Sequence, residues 1–195
     1  MRGNGIIDVD NIKDYQKLTI ENGLNTYLYL KKKYENNEMD EGFRAVFTDF
    51  YLKSQGVMRR EENQKSFFKI LERCDKNNNL AEIVIDMKEK LTVDMYEFSF
   101  ATKLYHTVDN DSPIWDKKVR DYLKNAHQIA FKQYKKDDDK IEIIKYNWGK
   151  LKEWYKSFVS SDEGKKWIAW FDEKFPEGSK ISDVKKIDFI IFACN

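Results

Sequence analysis

Phe98-Ser-Phe-Ala-Thr-Lys-Leu-Tyr-His106 is followed, after a short polar interval, by Asp111-Ser-Pro-Ile-Trp-Asp116-Lys-Lys-Val119. The first stretch is mostly apolar and predicts a helix central to the fold, because the segments flanking it in sequence supply further apolar faces. Asp109-Asn-Asp-Ser-Pro113 reads as a loop, since these side chains favour turns over helix interiors. Ser112 before Pro113 has the form of an N-cap followed by a proline at the first helical position, so a new helix is expected there. Val119, Tyr122, Leu123, Ala126, Ile129, Ala130 and Tyr134 then recur as the inner face of one long helix. Its outer face is basic: Lys117, Lys118, Arg120, Lys124, Lys132, Lys135 and Lys136 stand against only Asp116 and Asp121.

Outward from this stretch, helical periodicity continues in both directions. Asn11 to Tyr34 predicts a helix with Ile12, Tyr15, Leu18, Leu24 and Leu28 on one face and a break at Gly23. Asp40 is the expected N-cap of a second helix carrying Phe43, Val46, Phe47, Phe50 and Tyr51. Gly56 separates it from a third, with Val57, Phe67, Phe68, Ile70 and Leu71 apolar. Asp75-Lys-Asn-Asn-Asn79 reads as a turn, and Leu80 to Leu91 as helix again. Asp137-Asp-Asp139 is expected to end the basic helix and favour the start of the next. In that next helix Ile141, Ile144, Trp148, Leu151, Tyr155 and Phe158 alternate spacings of three and four, the pattern of a packed bundle helix. Ser161 opens another with Trp167, Ile168, Trp170 and Phe171; Pro176-Glu-Gly178 breaks it, and Ile181 to Phe192 closes the chain.

Only two prolines and eight glycines interrupt 195 residues, while charged residues make up 35% and aromatics 15%. That composition favours long helices over a β-sandwich, so the fold class expected is all-α: a compact helical bundle, residues 1–195 forming a single domain. No apolar run is long enough to span a bilayer, and the N-terminus lacks a secretory pattern, so a cytoplasmic protein with no membrane partner is expected. Cys74 and Cys194 make neither a disulfide framework nor a zinc site, and His106 and His127 have no ligand spacing. The net charge of +1 gives no global footprint for nucleic acid, which leaves the basic stripe as the local candidate for a phosphate backbone.

Lys103 and Asp116 are the candidate chemistry. A free lysine titrates near about 10.4, so it acts as a nucleophile only where its surroundings favour the neutral amine; apolar neighbours such as Phe98, Phe100 and Leu104 do this by desolvation. A carboxylate can take its proton and stabilise positive charge developing at the attacked carbon. Phe98, Tyr105, His106, Trp115, Trp167 and Trp170 are candidates to line a substrate pocket, and Lys117, Lys118, Arg120 and Lys124 to hold a DNA backbone. Each has a plainer reading. A lysine on an amphipathic helix commonly snorkels to water, an aspartate after Ser-Pro caps a helix, and tryptophans at helical spacing pack a core.

The same residues carry a resemblance. Ser99-Phe-Ala-Thr-Lys103 followed by Pro113-Ile-Trp-Asp116-Lys-Lys-Val119 resembles small bacterial proteins similar to the helix-hairpin-helix DNA glycosylase superfamily, especially its 8-oxoguanine branch. The likeness is sharp over Phe98 to Val119 and weaker over Phe43–Tyr51, Ser66-Phe-Phe-Lys69 and Lys186-Ile-Asp-Phe-Ile190. It implies a two-lobed helical fold with a central cleft, Lys103 as nucleophile and Asp116 as the assisting carboxylate. The implied activity is excision of a damaged or hypermodified base from duplex DNA, with AP-lyase cleavage as an accompaniment, in repair or anti-phage defence. The implied enzyme is a monomer that flips its target base and needs no metal or cofactor. The rival expectation is a non-enzymatic helical protein, an interaction or nucleic-acid-binding module on a glycosylase-like fold.

Overall fold

The computed structural model describes residues 6–52, 58, 60–91, 97–134 and 139–195. Among these are nine α-helices and no strand, which makes the class all-α. They are α1 (Asp14–Glu35), α2 (Glu41–Phe47), α3 (Glu61–Leu71), α4 (Leu80–Lys90), α5 (Phe98–Val108), α6 (Lys117–Ala126), α7 (Lys140–Ser160), α8 (Asp162–Lys174) and α9 (Asp183–Cys194). A π turn, Thr48–Leu52, follows α2. The expectations for Gly56, Val57, Lys135, Lys136, Asp137 and Asp138 lie outside the described residues. The chain divides into two compact units: a middle unit, Thr26–Asp109, and a terminal unit made of Met1–Asn25 with Asn110–Asn195.

In the middle unit, local capping fixes where the helices start. The Asp40 carboxylate accepts the Phe43 N–H at 2.8 Å, satisfying one of the donors that the first turn of α2 leaves open. Asn79 and Glu82 form a reciprocal capping box at the start of α4. Phe43, Phe47, Phe67 and Phe68 interlock in the core, with Phe47 and Phe67 ring centroids 5.6 Å apart. Helix α5 packs against both α3 and α4. Phe98, Phe100, Ala101, Leu104 and Val108 are all buried, as is usual for a helix apolar around most of its circumference.

In the terminal unit α9 packs against α6, α7 and α8. Tyr122 of α6, Trp154 and Phe158 of α7 and Trp167 of α8 form its aromatic core, Phe158 and Trp167 meeting edge-on at 5.0 Å. The Ser161 hydroxyl caps α8 by accepting the Gly164 N–H at 3.0 Å. Gly164 is required there, because a Cβ would overlap the Phe158 carbonyl.

Several sequence expectations need correction. Gly23 does not break α1; a Cβ there would lie 2.9 Å from the Phe189 ring, so the glycine permits a close approach. Tyr15 and Leu18 are 69% and 56% exposed, and the buried face of α1 is instead Ile20, Leu24, Tyr27 and Leu30. Ser112 is not an N-cap and Pro113 is not helical: α6 begins at Lys117, with Asp116 as its cap. Nor does this helix reach Tyr134. It ends at Ala126, where Gln128 adopts a left-handed backbone (φ 55°), and Ala130 and Tyr134 are exposed. The segment beyond is clamped by the buried Asn147 side chain, which accepts the Lys132 N–H at 2.9 Å and donates to the Lys132 carbonyl at 3.0 Å. That fork ties Lys132 to α7 and excludes a continued helix.

Two outcomes follow from this packing. Gly164→Ala forces α8 away from the Phe158 carbonyl and should cost about 1–3 kcal/mol or more, read by urea unfolding. His127, whose Nε2 lies 3.2 Å from the Tyr122 hydroxyl, is held below the ordinary imidazole range by burial. A depressed folded-state value means the unfolded chain binds the proton more tightly, so stability rises with pH and is lost as pH falls through the unfolded value of about 6.5. His127→Gln should therefore flatten the change in Tm between about pH 5 and about pH 7.5.

Candidate functional site

Lys103 lies on α5 and is 6% exposed. A snorkelling lysine would have its amine in water; this one donates instead to the Tyr51 carbonyl at 2.9 Å, a bond buried from solvent. Tyr51 belongs to the π turn after α2, an element that occurs frequently at functional sites. The amine also lies 5.7 Å from the centroid of the Phe100 ring. Nothing in the sequence pairs Lys103 with Tyr51. The one local hint was the crowding of Phe47, Phe50 and Tyr51 on an apolar face.

The aromatic and polar neighbours of Lys103 on α5 have distinct surroundings. Phe98 is core, and Tyr105 is partly exposed, its hydroxyl donating to the Lys76 carbonyl at 3.3 Å. His106 is buried, with Nε2 3.1 Å from the Tyr27 hydroxyl and the two rings tilted against each other at 5.6 Å. This is a satisfied core histidine.

Asp116 belongs to the terminal unit, whereas Lys103 belongs to the middle unit. Its carboxylate accepts the Lys118 N–H at 2.8 Å and so caps α6. Beside it, Trp115 meets Phe131 edge-on at 4.7 Å, and the Arg120 guanidinium lies 5.0 Å from the Trp115 ring. Trp167 packs on Tyr122 and Phe158, while Trp170 packs on Phe175. Both are buried. Of the expected aromatic walls in this unit, Trp115 is the sequence neighbour of Asp116.

Among the described residues the basic side chains do not all lie on one helix. Lys117 pairs with Asp121 at 2.7 Å on the surface. Lys118 folds back over the Phe192 ring at 4.3 Å and donates to the Phe192 carbonyl at 2.7 Å. Arg120 is drawn to Trp115, Lys124 is exposed, and Lys132 sits over the Tyr146 ring at 4.1 Å. Four of these cations therefore share α6, with Lys132 beyond its end.

A second group of polar residues lies in α9, where the sequence reading noted Lys186-Ile-Asp-Phe-Ile190 only as part of a weaker likeness. Lys185 is 3% exposed and donates to Asp188 at 2.7 Å, and its neighbour Lys186 reaches Asp172 and Asp183, each at 2.9 Å. The hint was the run Lys185-Lys186-Ile-Asp188 inside an otherwise apolar terminal helix, where ions three apart share a face. Tyr155 of α7 is fully buried, and its phenol is pushed well above the ordinary range, first by burial and then by the carboxylates of Asp188 and Asp116. The phenol lies beside the Asp188 carboxylate.

Among the described residues no cluster of histidine, cysteine or carboxylate side chains could hold a metal, and no helix is long and apolar enough to cross a membrane. Compared with family models, with curated proteins and with solved structures, the chain matches none.

Proposed function

We propose that this chain is a DNA glycosylase that removes a damaged or hypermodified base, with Lys103 as nucleophile and Asp116 as the assisting carboxylate. The observation that carries this reading is the burial of the Lys103 amine on an apolar helix, at 6% exposure. Lysines are rarely buried, and a desolvated amine is the form that attacks carbon. The Tyr51 carbonyl accepts one amine N–H, so a backbone group of the π turn helps to set the direction of the nitrogen.

In the reaction the neutral Lys103 nitrogen forms a bond to C1′ of the target nucleotide. The glycosidic bond breaks, its electron pair leaves with the base nitrogen, and the departing base takes up a proton. Asp116 accepts the proton that the new C1′–nitrogen bond must shed and offsets the oxocarbenium-like charge at C1′. Sugar-ring opening gives a Schiff base, from which elimination of the 3′ phosphate accounts for AP-lyase cleavage. Tyr105 is the aromatic candidate best exposed to a flipped base, since Phe98, Trp115, Trp167 and Trp170 are buried in packing. Lys117 and Lys124 are the α6 cations best exposed to phosphate.

A second reading has its own observation. Asp116 already serves as the cap of α6, as it would in a non-enzymatic nucleic-acid-binding or interaction protein. The two readings separate cleanly because asparagine caps a helix as well as aspartate does. Asp116→Asn should leave the unfolding midpoint unchanged in both. In the glycosylase it should also slow single-turnover excision by about 10²–10⁴-fold, with DNA affinity nearly constant.

The direct test is a panel of duplexes, each with one lesion or hypermodified base. Borohydride should trap a covalent protein–DNA complex by reducing the Schiff base. Lys103→Ala should abolish trapping, and Lys103→Gln, which keeps an N–H for the Tyr51 carbonyl, should bind DNA without trapping. Excision without trapping would remove Lys103 as nucleophile and leave an Asp116-activated water. No excision from any duplex would sink the enzymatic reading.

A further inference from the structure

In the middle unit, Ser66-Phe-Phe-Lys69 of α3 commits its two aromatic side chains to the core and leaves Ser66 and Lys69 nearer the surface. Arg73 stands in the turn that follows α3, and Lys90 is the last residue of α4, which packs against α3. Ser66, Lys69, Glu72, Arg73 and Lys90 line one open hollow of about 470 Å³. Shared acceptors bring its cations together. The Arg73 guanidinium donates through Nε to the Lys69 carbonyl at 3.0 Å and through a terminal nitrogen to Asp86 at 3.3 Å, and Asp86 also pairs with Lys90. A guanidinium has five N–H donors and an ammonium three, so both keep donors to spare. The Ser66 hydroxyl and the Lys69 ammonium donate to nothing among the described residues. Glu72, the carboxylate of the lining, is held by Arg44 at 2.7 Å. Arg44, Lys69, Arg73 and Lys90 therefore stand against Glu72 and Asp86, an excess of two positive charges.

A second hollow, of about 380 Å³, shares Arg73 and Lys90 with the first, and its lining includes Ile70, Ile83 and Ile85. Ile85 is 40% exposed, and Glu82 and Glu89 on the rim are acceptors for an amino group. We infer that the joined hollows bind a small organic phosphate monoester. Its phosphate lies among Ser66, Lys69, Arg73 and Lys90, and its organic part lies against Ile85. A phosphate monoester carries about −1.5 to −2 charge at pH 7 and three strong acceptor oxygens, which matches the excess charge and the spare donors. A carboxylate or a phosphodiester brings only a single charge. Binding here needs neither Lys103 nor Asp116, so it stands or falls apart from base excision.

Nitrogen–proton correlation spectra of the full chain, at an ionic strength held constant with chloride, provide the test. Inorganic phosphate should move the resonances of Ser66, Lys69, Arg73 and Lys90 saturably. Deoxyadenosine monophosphate should bind about tenfold more tightly and also move Ile85, while deoxyadenosine leaves the four resonances in place. Lys69→Gln and Arg73→Gln should each weaken phosphate binding about tenfold, the loss expected of one charge-assisted hydrogen bond. Both side chains are exposed, so these variants should keep the parent's fold. Lys65→Gln, on the same helix but outside the hollow and paired with Glu61, should bind as the parent does. Affinity should rise as pH passes through about 6, where the monoester gains its second charge. Shifts that never saturate, or that weaken equally in Lys65→Gln, overturn the inference; the cations then serve only the C-terminal turns of α3 and α4. A duplex without terminal phosphates that moves the same resonances at lower concentration than the nucleotide, independently of pH, overturns the monoester assignment in favour of backbone phosphate.

Discussion

Taking a lysine ammonium out of water is the constraint around which this chain is arranged. An unpaired buried charge costs several kcal/mol, so each buried lysine dictates what must face it. Lys103, Lys185 and Lys186 are all buried, and each is met differently. Lys103 meets a backbone carbonyl in the π turn after α2, which ties α5 to that turn. Lys185 meets Asp188 one turn along its own helix, and Lys186 joins α9 to α8 through Asp172. The carboxylates leave Lys185 and Lys186 in ion pairs.

Where the sequence reading succeeded, the responsible forces act within a few residues. Asp40 and Asn79 begin helices because a side-chain oxygen reaches a backbone N–H two or three positions on, and Ser161 does the same for α8. The apolar content of Phe98–His106 placed α5 inside its unit for a similar reason, since few of its faces can be left to water. All-α class follows from the same local signals together with scarce glycine and proline. None of this needed knowledge of what lies across the core.

The failures were decided by partners distant in sequence. Two cap signals, Ser112 and Asp116, stand four residues apart, and either is chemically competent. The outcome turns on the loop before them: the Ser182 hydroxyl, 72 positions away, donates to the Asn110 carbonyl at 2.7 Å while also capping α9. With the loop anchored there, Asp116 becomes the first residue free to start the helix. Asn147 does the equivalent at the other end by seizing the Lys132 backbone. The basic stripe was a projection onto a helix that is too short to carry it. In α1 the periodicity was correct but its phase was wrong over the first turns, where Tyr15 and Leu18 face solvent.

The ion pair in α9 is the feature least explained by stability. A buried lysine–aspartate pair seldom improves on apolar side chains of the same volume, because desolvating two charges offsets most of their attraction. A core selected for stability alone would place an aliphatic side chain at each of Tyr155, Lys185 and Asp188, as it does at Leu151 of α7 and Ile190 of α9.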